Sequence, residues 1–448
     1  MPERQPGWIQ KPLVTLIRPF QRFAGQEAAG GILLLACSIA ALAWANSPWA
    51  GIYRGLWHTP FTVGFGTFSL SYDLHFWVDD GLMTIFFFVV GLEIKRELLA
   101  GELASPRQAA LPLVAAMGGV AVPALLYFAI NSGGPGAAGW GIPMATDIAF
   151  AIGVLALLGA RVPLGLKVFL TALAIVDDIV AVLVIALFYT ANLAWGPLAG
   201  AVCCLLLALA ANRLGVRHPL PYTLIGVVLW VTVMQSGVHA TIAGVLLAFM
   251  IPSRQALDQS AFLKEGRAVL DHFEKASRTE PFHILEDIEQ QSAIEALEEA
   301  CRKIQPPLQR LEHALHPWVT FAIMPLFALA NAGVPVSAGD LGKLVVQPIT
   351  LGIIIGLVLG KPLGVTIAAW LAVRSGQASL PASVTWHHIL GAGGLAGIGF
   401  TMSLFMAGLS FSDDAQLTEA KLGILIASLC AGLIGSIFLL RVKVKDQT

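Results

Sequence analysis

Long apolar segments recur along this chain and are separated by short polar connections. A helix that crosses a ~30 Å hydrocarbon core needs about 20 residues of this kind. We predict twelve spans, at about residues 30–46, 75–99, 109–130, 141–160, 167–190, 195–212, 219–236, 238–252, 314–334, 346–372, 386–410 and 420–440. Only Ser236 and Gly237 divide the seventh span from the eighth.

Two segments have other patterns. Residues 58–73 alternate in two runs, Phe61, Val63, Phe65 and Phe68, Leu70, Tyr72, on either side of Gly66-Thr67, which predicts a β-hairpin. It is either a simple loop or a surface that pairs with a second copy. Residues 253–310 carry eight Lys or Arg and eleven Asp or Glu, with Ile294, Leu297, Cys301 and Ile304 at helical spacing. They predict a charged helical insertion, either a solvated hairpin or a regulatory element.

Composition places the chain in a membrane. Of its 448 residues, 56% are hydrophobic and 12% charged, and the mean hydropathy is +0.76. Soluble proteins carry about 25% charged residues, so we predict one polytopic helical bundle. The net charge of −1 gives no indication of nucleic-acid binding, and the five cysteines do not resemble a disulfide framework. The charged lead before residue 30 favours an uncleaved first span over a signal peptide.

Loop charges predict the orientation. If the N-terminus is cytoplasmic, short inner loops and tails hold fifteen Lys or Arg, and outer loops hold three, Arg54, Lys343 and Lys421. The positive-inside rule then puts both termini in the cytoplasm. The predicted organisation is a cytoplasmic segment at 1–29, spans one to eight at 30–252 with an outer hairpin at 58–73, the cytoplasmic insertion at 253–310, and spans nine to twelve with a short tail at 311–448.

The most informative segment is residues 168–190, VFLTALAIVDDIVAVLVIALFYT, which carries Asp177 and Asp178 near its middle. Its fourteen Leu, Ile, Val and Phe residues favour insertion by about 4–8 kcal/mol, and two central aspartates oppose it by about 5–7 kcal/mol. The segment therefore needs partner helices or a wet cavity. A soluble core helix would fit these acids, but not the equally apolar remainder of the chain. We predict an ion or proton site at the membrane midplane.

Two spans have features that break helices. Pro143 and Thr146 precede Asp147 in the fourth span, and Pro143 cannot donate a backbone hydrogen bond. Residues 391–403, GAGGLAGIGFTMS, place five glycines in the eleventh span, followed by Thr401 and Ser403. Close helix packing is the alternative explanation for those glycines. Interrupted helices in corresponding halves are a known pointer to a transport site.

Other charged residues are candidates for function, one within an apolar span and the others near the ends of spans. Lys361 is a lone cation within an apolar span and is either a snorkelling end residue or, as we expect, the partner of a buried aspartate. Candidates for a pH response lie near the cytoplasmic ends of spans two and nine, where histidines accompany carboxylates, with one more towards the outer side: Glu93, Arg96, Glu97, Glu312, His313, His316 and His239.

A set of motifs resembles the NhaA-type bacterial sodium/proton antiporters over nearly the whole chain. They are FFFVVGLEIKREL (86–98), ATDIAF (145–150), ALAIVDDIVA (172–181), SGVHATIAGV (236–245), LEHALHPWV (311–319), PLFALANAGV (325–334), GKPLG (360–364) and GIGFTMS (397–403). The insertion at 253–310 departs from the short link usual in the family, and Gln309 replaces a familiar lysine. Regulation is therefore expected to differ from that of the family.

The resemblance implies an inverted-repeat fold in which spans three to five mirror spans ten to twelve. It implies that Asp177 and Asp178 bind sodium or lithium and exchange it for protons, that Lys361 pairs with Asp177, and that Asp147, next to Thr146, balances the ends of the broken helices. It also implies electrogenic exchange, two protons entering per sodium expelled, in a homodimer of the bacterial inner membrane joined through the outer hairpin. No cofactor and no enzymatic activity are expected.

Two other classes of protein share features with this chain. An intramembrane aspartyl protease also pairs buried aspartates, but its Gly-x-Gly-Asp motif is absent, and Asp177 and Asp178 are neighbours on one helix. A sodium-coupled symporter or a cation channel differs in the direction in which protons move in response to sodium.

Overall fold

The structure is a computed structural model that describes residues 27–65, 68–190, 193–255, 258–277, 288–335, 341–381 and 383–442. Most of the predicted N-terminal segment, including Arg4, Lys11, Arg18 and Arg22, lies outside these ranges, as does the hairpin turn at Gly66-Thr67. In the described part the chain is largely helical, with one small sheet.

The helices before the charged insertion are α1 (Glu27–Ala45), α2 (Ala50–Trp57), α3 (Met83–Ala100), α4 (Pro106–Asn131), α5 (Ile148–Leu157), α6 (Leu164–Phe188), α7 (Trp195–Arg213), α8 (Pro219–Gln235) and α9 (Ile242–Met250). The insertion contains α10 (Gln259–Ser277) and α11 (Ile288–Ile304). The remaining helices are α12 (Pro307–Trp318), α13 (Met324–Asn331), α14 (Leu341–Val345), α15 (Pro348–Ile355), α16 (Lys361–Arg374), α17 (Trp386–Ala396), α18 (Phe400–Ser410) and α19 (Asp414–Arg441).

Strands β1 (Pro60–Phe65) and β2 (Phe68–Asp73) form the predicted hairpin as an antiparallel pair, with Pro60 opposite Asp73. The indole of Trp77 donates to the Phe61 carbonyl over 2.9 Å, and Tyr72 stacks on Phe76 at 4.0 Å. The helical turns that follow the hairpin therefore hold it in place.

Proline explains two of the π-helical turns in the described chain. Val319–Ile323 ends two residues before Pro325, and Gly356–Gly360 ends two residues before Pro362. A proline inside a helix removes one backbone donor and clashes with the carbonyl four residues earlier, so the preceding turn widens. The second of these turns leads directly into Lys361. A third π turn, Trp77–Leu82, precedes α3.

Six helical segments of the described chain are long and apolar enough to cross a membrane, or up to nine if each of three bent helix pairs counts as one span. The twelve predicted spans exceed this number for local reasons. Helix α3 contains Glu93, Lys95, Arg96 and Glu97, and α9 has only nine residues because turns occupy residues 236–241. The inverted repeat stays a prediction.

The chain divides into two compact units. The first comprises Met1–Phe86, Glu97–Ala191 and Trp318–Thr448, and within it α4 packs extensively on α16. Gly118 makes this approach possible, because a Cβ there would collide with the Gly364 carbonyl oxygen. The second comprises Phe87–Arg96 and Asn192–Pro317 and has its own core, which includes Leu92, Ala208, Leu229 and Ala248.

In the insertion, α10 packs against α11, but the buried face of α11 is not the one that its larger apolar residues suggest. Ala293 and Ala300 are buried, whereas Ile294 and Cys301 are exposed. Small side chains let the two helices approach closely. Each buried alanine lies one position before an exposed larger residue, and one position along a helix rotates the side chain by about 100°.

Candidate functional site

The fourth predicted span is broken at the aspartate. A 3₁₀ helix, Pro135–Met144, ends just before Ala145, and α5 begins after Asp147, with a bend of 44° between them. Pro143 cannot supply the donor that a continuous helix needs, and Asp147 in the extended conformation caps α5 by accepting from the Phe150 amide at 2.9 Å. The break therefore creates, within one predicted span, a C-terminal end on the 3₁₀ helix and an N-terminal end on α5.

The eleventh predicted span is broken in the same way. Helix α17 ends at Ala396, α18 begins at Phe400, and the two bend by 47°. Gly397 lies at the break because the Leu357 carbonyl approaches so closely that a Cβ would collide with it. This is a specific requirement for glycine at one of the five positions of the motif.

The two breaks bind each other through Asp147. Its backbone amide donates to the Ile398 carbonyl at 2.7 Å. Its carboxylate accepts from the Thr401 amide at 3.1 Å and from the Thr401 hydroxyl, in addition to Phe150. The carboxylate thus lies at the N-termini of both α5 and α18, each of which carries a partial positive charge of about half a unit. These donors and the two helix ends favour the ionised form of Asp147.

Asp177 contacts a different pair of groups. One of its oxygens, Oδ2, lies 2.6 Å from the Lys361 ammonium and 2.6 Å from the Thr146 hydroxyl. Lys361 also donates to the Met144 carbonyl at the end of the 3₁₀ helix. Its side chain is fully buried, so the structure places it inside the bundle rather than at a surface. Asp177 Oδ1 is buried too and accepts no hydrogen bond from any described residue.

The Thr146 hydroxyl links Asp177 to the second break. It lies 2.8 Å from the Ala396 carbonyl as well as 2.6 Å from Asp177 Oδ2. A hydroxyl has a single proton and two acceptor lone pairs. Thr146 therefore donates either to an ionised Asp177 or to Ala396, and in the second case it is free to accept a proton from a neutral Asp177.

Asp178 follows Asp177 on α6 and is equally buried, at 1% exposure. With Asp147 balanced by the helix ends, the site contains two carboxylates and one ammonium. A charge without a counter-charge is very unfavourable in an apolar interior, so a buried carboxylate favours contact with a cation or a proton.

Some of the sequence-predicted pH-response residues lie together, and all these contacts are within the second unit. Glu93 Oε1 is 3.7 Å from His316 Nδ1, and Arg96 Nε is 3.4 Å from Glu312 Oε1, with Glu312 buried. His313 is exposed on the same helix, α12.

Two members of the set have local contacts elsewhere. Glu97 accepts from the Glu102 amide at 3.1 Å, and the His239 ring lies 2.8 Å from the Thr241 hydroxyl.

Sequence reasoning named the side chains of the site but missed its main-chain atoms. The carbonyls of Met144, Ala396 and Ile398 bind Lys361, Thr146 and the Asp147 amide, respectively. The only signal for them is the helix break itself, since every residue has a carbonyl and only an unwound end leaves it free.

Comparison with known proteins supports the family resemblance that the sequence motifs indicate. Residues 21–439 match the family described as Na+/H+ antiporter 1. The chain is 54% identical over 430 residues to the Na(+)/H(+) antiporter NhaA of Koribacter versatilis, covering 96% of this chain and 93% of that one. It is 54% identical over 442 residues to the Na(+)/H(+) antiporter NhaA of Oleidesulfovibrio alaskensis, covering 99% and 98%. Matches of this length and identity establish that the chain belongs to the Na+/H+ antiporter 1 family.

Proposed function

We propose that this protein is an electrogenic antiporter that expels sodium or lithium in exchange for protons, and so serves pH and sodium homeostasis. The observation that carries the proposal is the buried pair Asp177 and Asp178 with a single ammonium, Lys361, beside it. The names of the relatives, which describe sodium/proton exchange, support the same activity.

Exchange follows from competition at the carboxylates. A sodium ion needs ionised oxygens, and a proton removes that charge, so cation and proton exclude each other at the same atoms. Asp177 Oδ1, with no hydrogen bond from the described residues, is one oxygen available to a cation that also contacts Asp178. No further chemistry is required, because a site that faces each side of the membrane in turn converts this competition into antiport.

Lys361 and Thr146 adjust to the state of Asp177. When Asp177 is ionised, both donate to Oδ2; when it is protonated, Thr146 turns its proton towards Ala396. A change in the occupancy of Asp177 thereby changes the hydrogen bond to the Ala396 carbonyl at the end of α17. Asp147 holds the two breaks together and keeps its own charge at the helix N-termini.

Asparagine substitutions test the site. Asp178→Asn keeps the shape but removes the charge and the titratable proton, so exchange and cation binding are expected to be lost in a folded protein. Asp177→Asn is expected to reduce exchange and to leave residual transport with fewer protons moved per cation. Asp271→Asn, at an exposed position of α10, is the matched control.

The measurements are proton flux and its dependence on membrane potential in proteoliposomes, with calorimetry of sodium and lithium binding. A sodium pulse on inverted vesicles separates antiport from symport or a channel, because only an antiporter moves protons opposite to sodium. Wild-type exchange in folded Asp178→Asn would show that the site is wrong.

We propose the full topology as well: twelve spans with inverted repeats, both termini and the insertion cytoplasmic, in a bacterial inner membrane. The charge bias of fifteen against three supports it. A reporter fused after Arg310 is expected to be active only in the cytoplasm, and periplasmic activity there would contradict the topology.

We also propose that the hairpin joins two copies. Phe61, Val63 and Tyr72 are 51%, 47% and 36% exposed, and an isolated two-stranded hairpin is marginally stable in water. Replacing Phe61 and Val63 by serine is expected to convert a dimer to a monomer by light scattering in detergent. A variant that stays dimeric would exclude this surface.

The contacts of Glu93 with His316 and of Arg96 with Glu312 support a pH-responsive cluster at the cytoplasmic ends of α3 and α12. A histidine beside a carboxylate changes charge near neutral pH. Glu93→Gln is therefore expected to shift the pH profile of exchange, and an unchanged profile would remove this cluster from regulation.

A further inference from the structure

A buried histidine outside the ion site caps the inner half of the broken eleventh span. His388 is 3% exposed and occupies the first turn of α17. The Thr385 amide donates to its Nδ1 at 3.1 Å, and the Thr385 hydroxyl lies 2.9 Å from the same nitrogen. This is the capping-box arrangement, Thr-x-x-His, with histidine in place of the usual glutamate or glutamine.

The geometry defines the protonation state of this ring. An amide N–H can only donate, so Nδ1 must carry a lone pair, and the neutral ring has its proton on Nε2. Nε2 is buried and has no hydrogen-bond partner among the described residues. The hydrogen bond from the Thr385 amide therefore exists only with neutral imidazole: a second proton, on Nδ1, would be donated to the Thr385 hydroxyl and would leave the amide without its acceptor.

The surroundings of His388 disfavour an imidazolium. The adjacent His387 is exposed, and the positive end of the α17 dipole lies in the same turn. The helices packed against α17 carry cations near the ends on this side, Arg374 on α16, Arg441 on α19 and Lys167 on α6, and Arg161 follows α5. The preceding loop shares a cavity of about 410 Å³ with Glu102 and Arg107. The site acids Asp147, Asp177 and Asp178, with Lys361, lie towards the other end of α17.

The cap and the ion site are the two ends of one rigid element. From His388 to Ala396 is eight residues, about 12 Å of helix. The far end supplies the carbonyl that contacts the Thr146 hydroxyl. Along its length α17 packs by its backbone, since a Cβ on Gly393 would lie 2.9 Å from Pro362, next to Lys361.

We infer that His388 is a pH-sensitive cap that secures the inner half of the broken span while neutral and releases it when protonated. Acidification then frays the first turn of α17 and loosens the position of Ala396 at the site. Exchange is reduced as a result, independently of the carboxylates. His388 acts as a positioning residue and has no contact with the transported ion.

The test uses His388→Gln, which preserves an uncharged acceptor at this capping position, and His388→Ala, which removes it. His387→Gln is the control, because its ring is exposed and stacks only on Phe438 among the described aromatic contacts. Amide hydrogen exchange of residues 385–392, corrected for the intrinsic pH dependence, needs no transport. We expect wild type to lose protection as the pH falls, His388→Gln to keep it throughout, and His388→Ala to lack it at every pH.

The transport arm, which rests on the proposed antiport, measures sodium-dependent proton flux against pH on the cytoplasmic side. The acid limb of the His388→Gln profile is expected to shift to lower pH, whereas His387→Gln follows wild type. Wild-type protection that does not depend on pH, or a His388→Gln profile identical to wild type, overturns the inference. Absence of proton flux in wild type instead rejects the proposed function. Amide hydrogen exchange then remains as the test of the cap.

Discussion

At the scale of single residues, Lys361 is the charge on which the site depends. Its Nζ binds one oxygen of Asp177 and the Met144 carbonyl, and no part of the side chain reaches solvent. Removing one partner of a buried ion pair leaves the other charge uncompensated, at a cost of about 3–5 kcal/mol.

Lys361→Ala is therefore expected to lower thermal stability and to shift exchange to more alkaline pH, because the Asp177 carboxylate loses the cation that stabilises it. The measurements are thermal unfolding in detergent and proton flux against pH. Lys343→Ala, an exposed lysine of α14, provides the comparison. A Lys361→Ala protein with the wild-type pH profile and stability would contradict the pairing.

Thr401 contacts Asp147 through its backbone amide and through its side chain. Its hydroxyl donates to Asp147, and hydrogen bonds to charged groups contribute about 1.5–3 kcal/mol. Thr401→Val is expected to lose stability of that order and to reduce exchange. Thr366→Val is the matched control, since the Thr366 hydroxyl is buried without a described hydrogen-bond partner, and its loss should be neutral or stabilising. Equal unfolding temperatures for the two variants would remove Thr401 from the site.

At the scale of elements, the break between α17 and α18 depends on close backbone approach. We expect Gly397→Ala to destabilise the protein and impair exchange, because the new Cβ would collide with the Leu357 carbonyl, four residues before Lys361. Gly408→Ala, in α18 with open space around it, is expected to be neutral or to gain about 0.5–1 kcal/mol. Thermal unfolding and proton flux compare them, and a Gly397→Ala protein that matches Gly408→Ala would show that the approach is not required.

At the scale of the whole molecule, the charged insertion begins and ends at neighbouring points of the structure. The Leu308 amide donates to the Pro252 carbonyl at 3.2 Å, so the two ends of the segment are already adjacent. None of the proposed site residues lies between them.

Replacing residues 256–306 by a short Gly/Ser linker is expected to retain cation-dependent proton flux, with any change confined to its regulation. Flux in proteoliposomes, after size-exclusion chromatography to confirm folding, measures this. Complete loss of flux in a folded, inserted protein would place part of the functional core in the insertion.

The sequence by itself determined the membrane class, the presence of the hairpin and the identity of the charged side chains. These are local properties. The length of an apolar run, the two-residue alternation of a strand and the cost of an aspartate in an apolar run do not depend on which parts of the chain come together. Pro143 and the glycines near residue 397 also indicated both breaks, because they change the backbone directly.

Only the tertiary structure decided which atoms meet. Thr146 was expected near Asp147, yet its hydroxyl binds Asp177 and Ala396, and Thr401 binds Asp147. In α11, Ala293 rather than Ile294 faces inward. The His388 cap was not foreseen, although Thr385-x-x-His388 is visible in the sequence. Hydrophobicity identifies the helices that can cross a membrane, but their partners depend on the rotation and approach of helices distant in the chain. The small residues that permit close approach carry almost no signal in an apolar sequence.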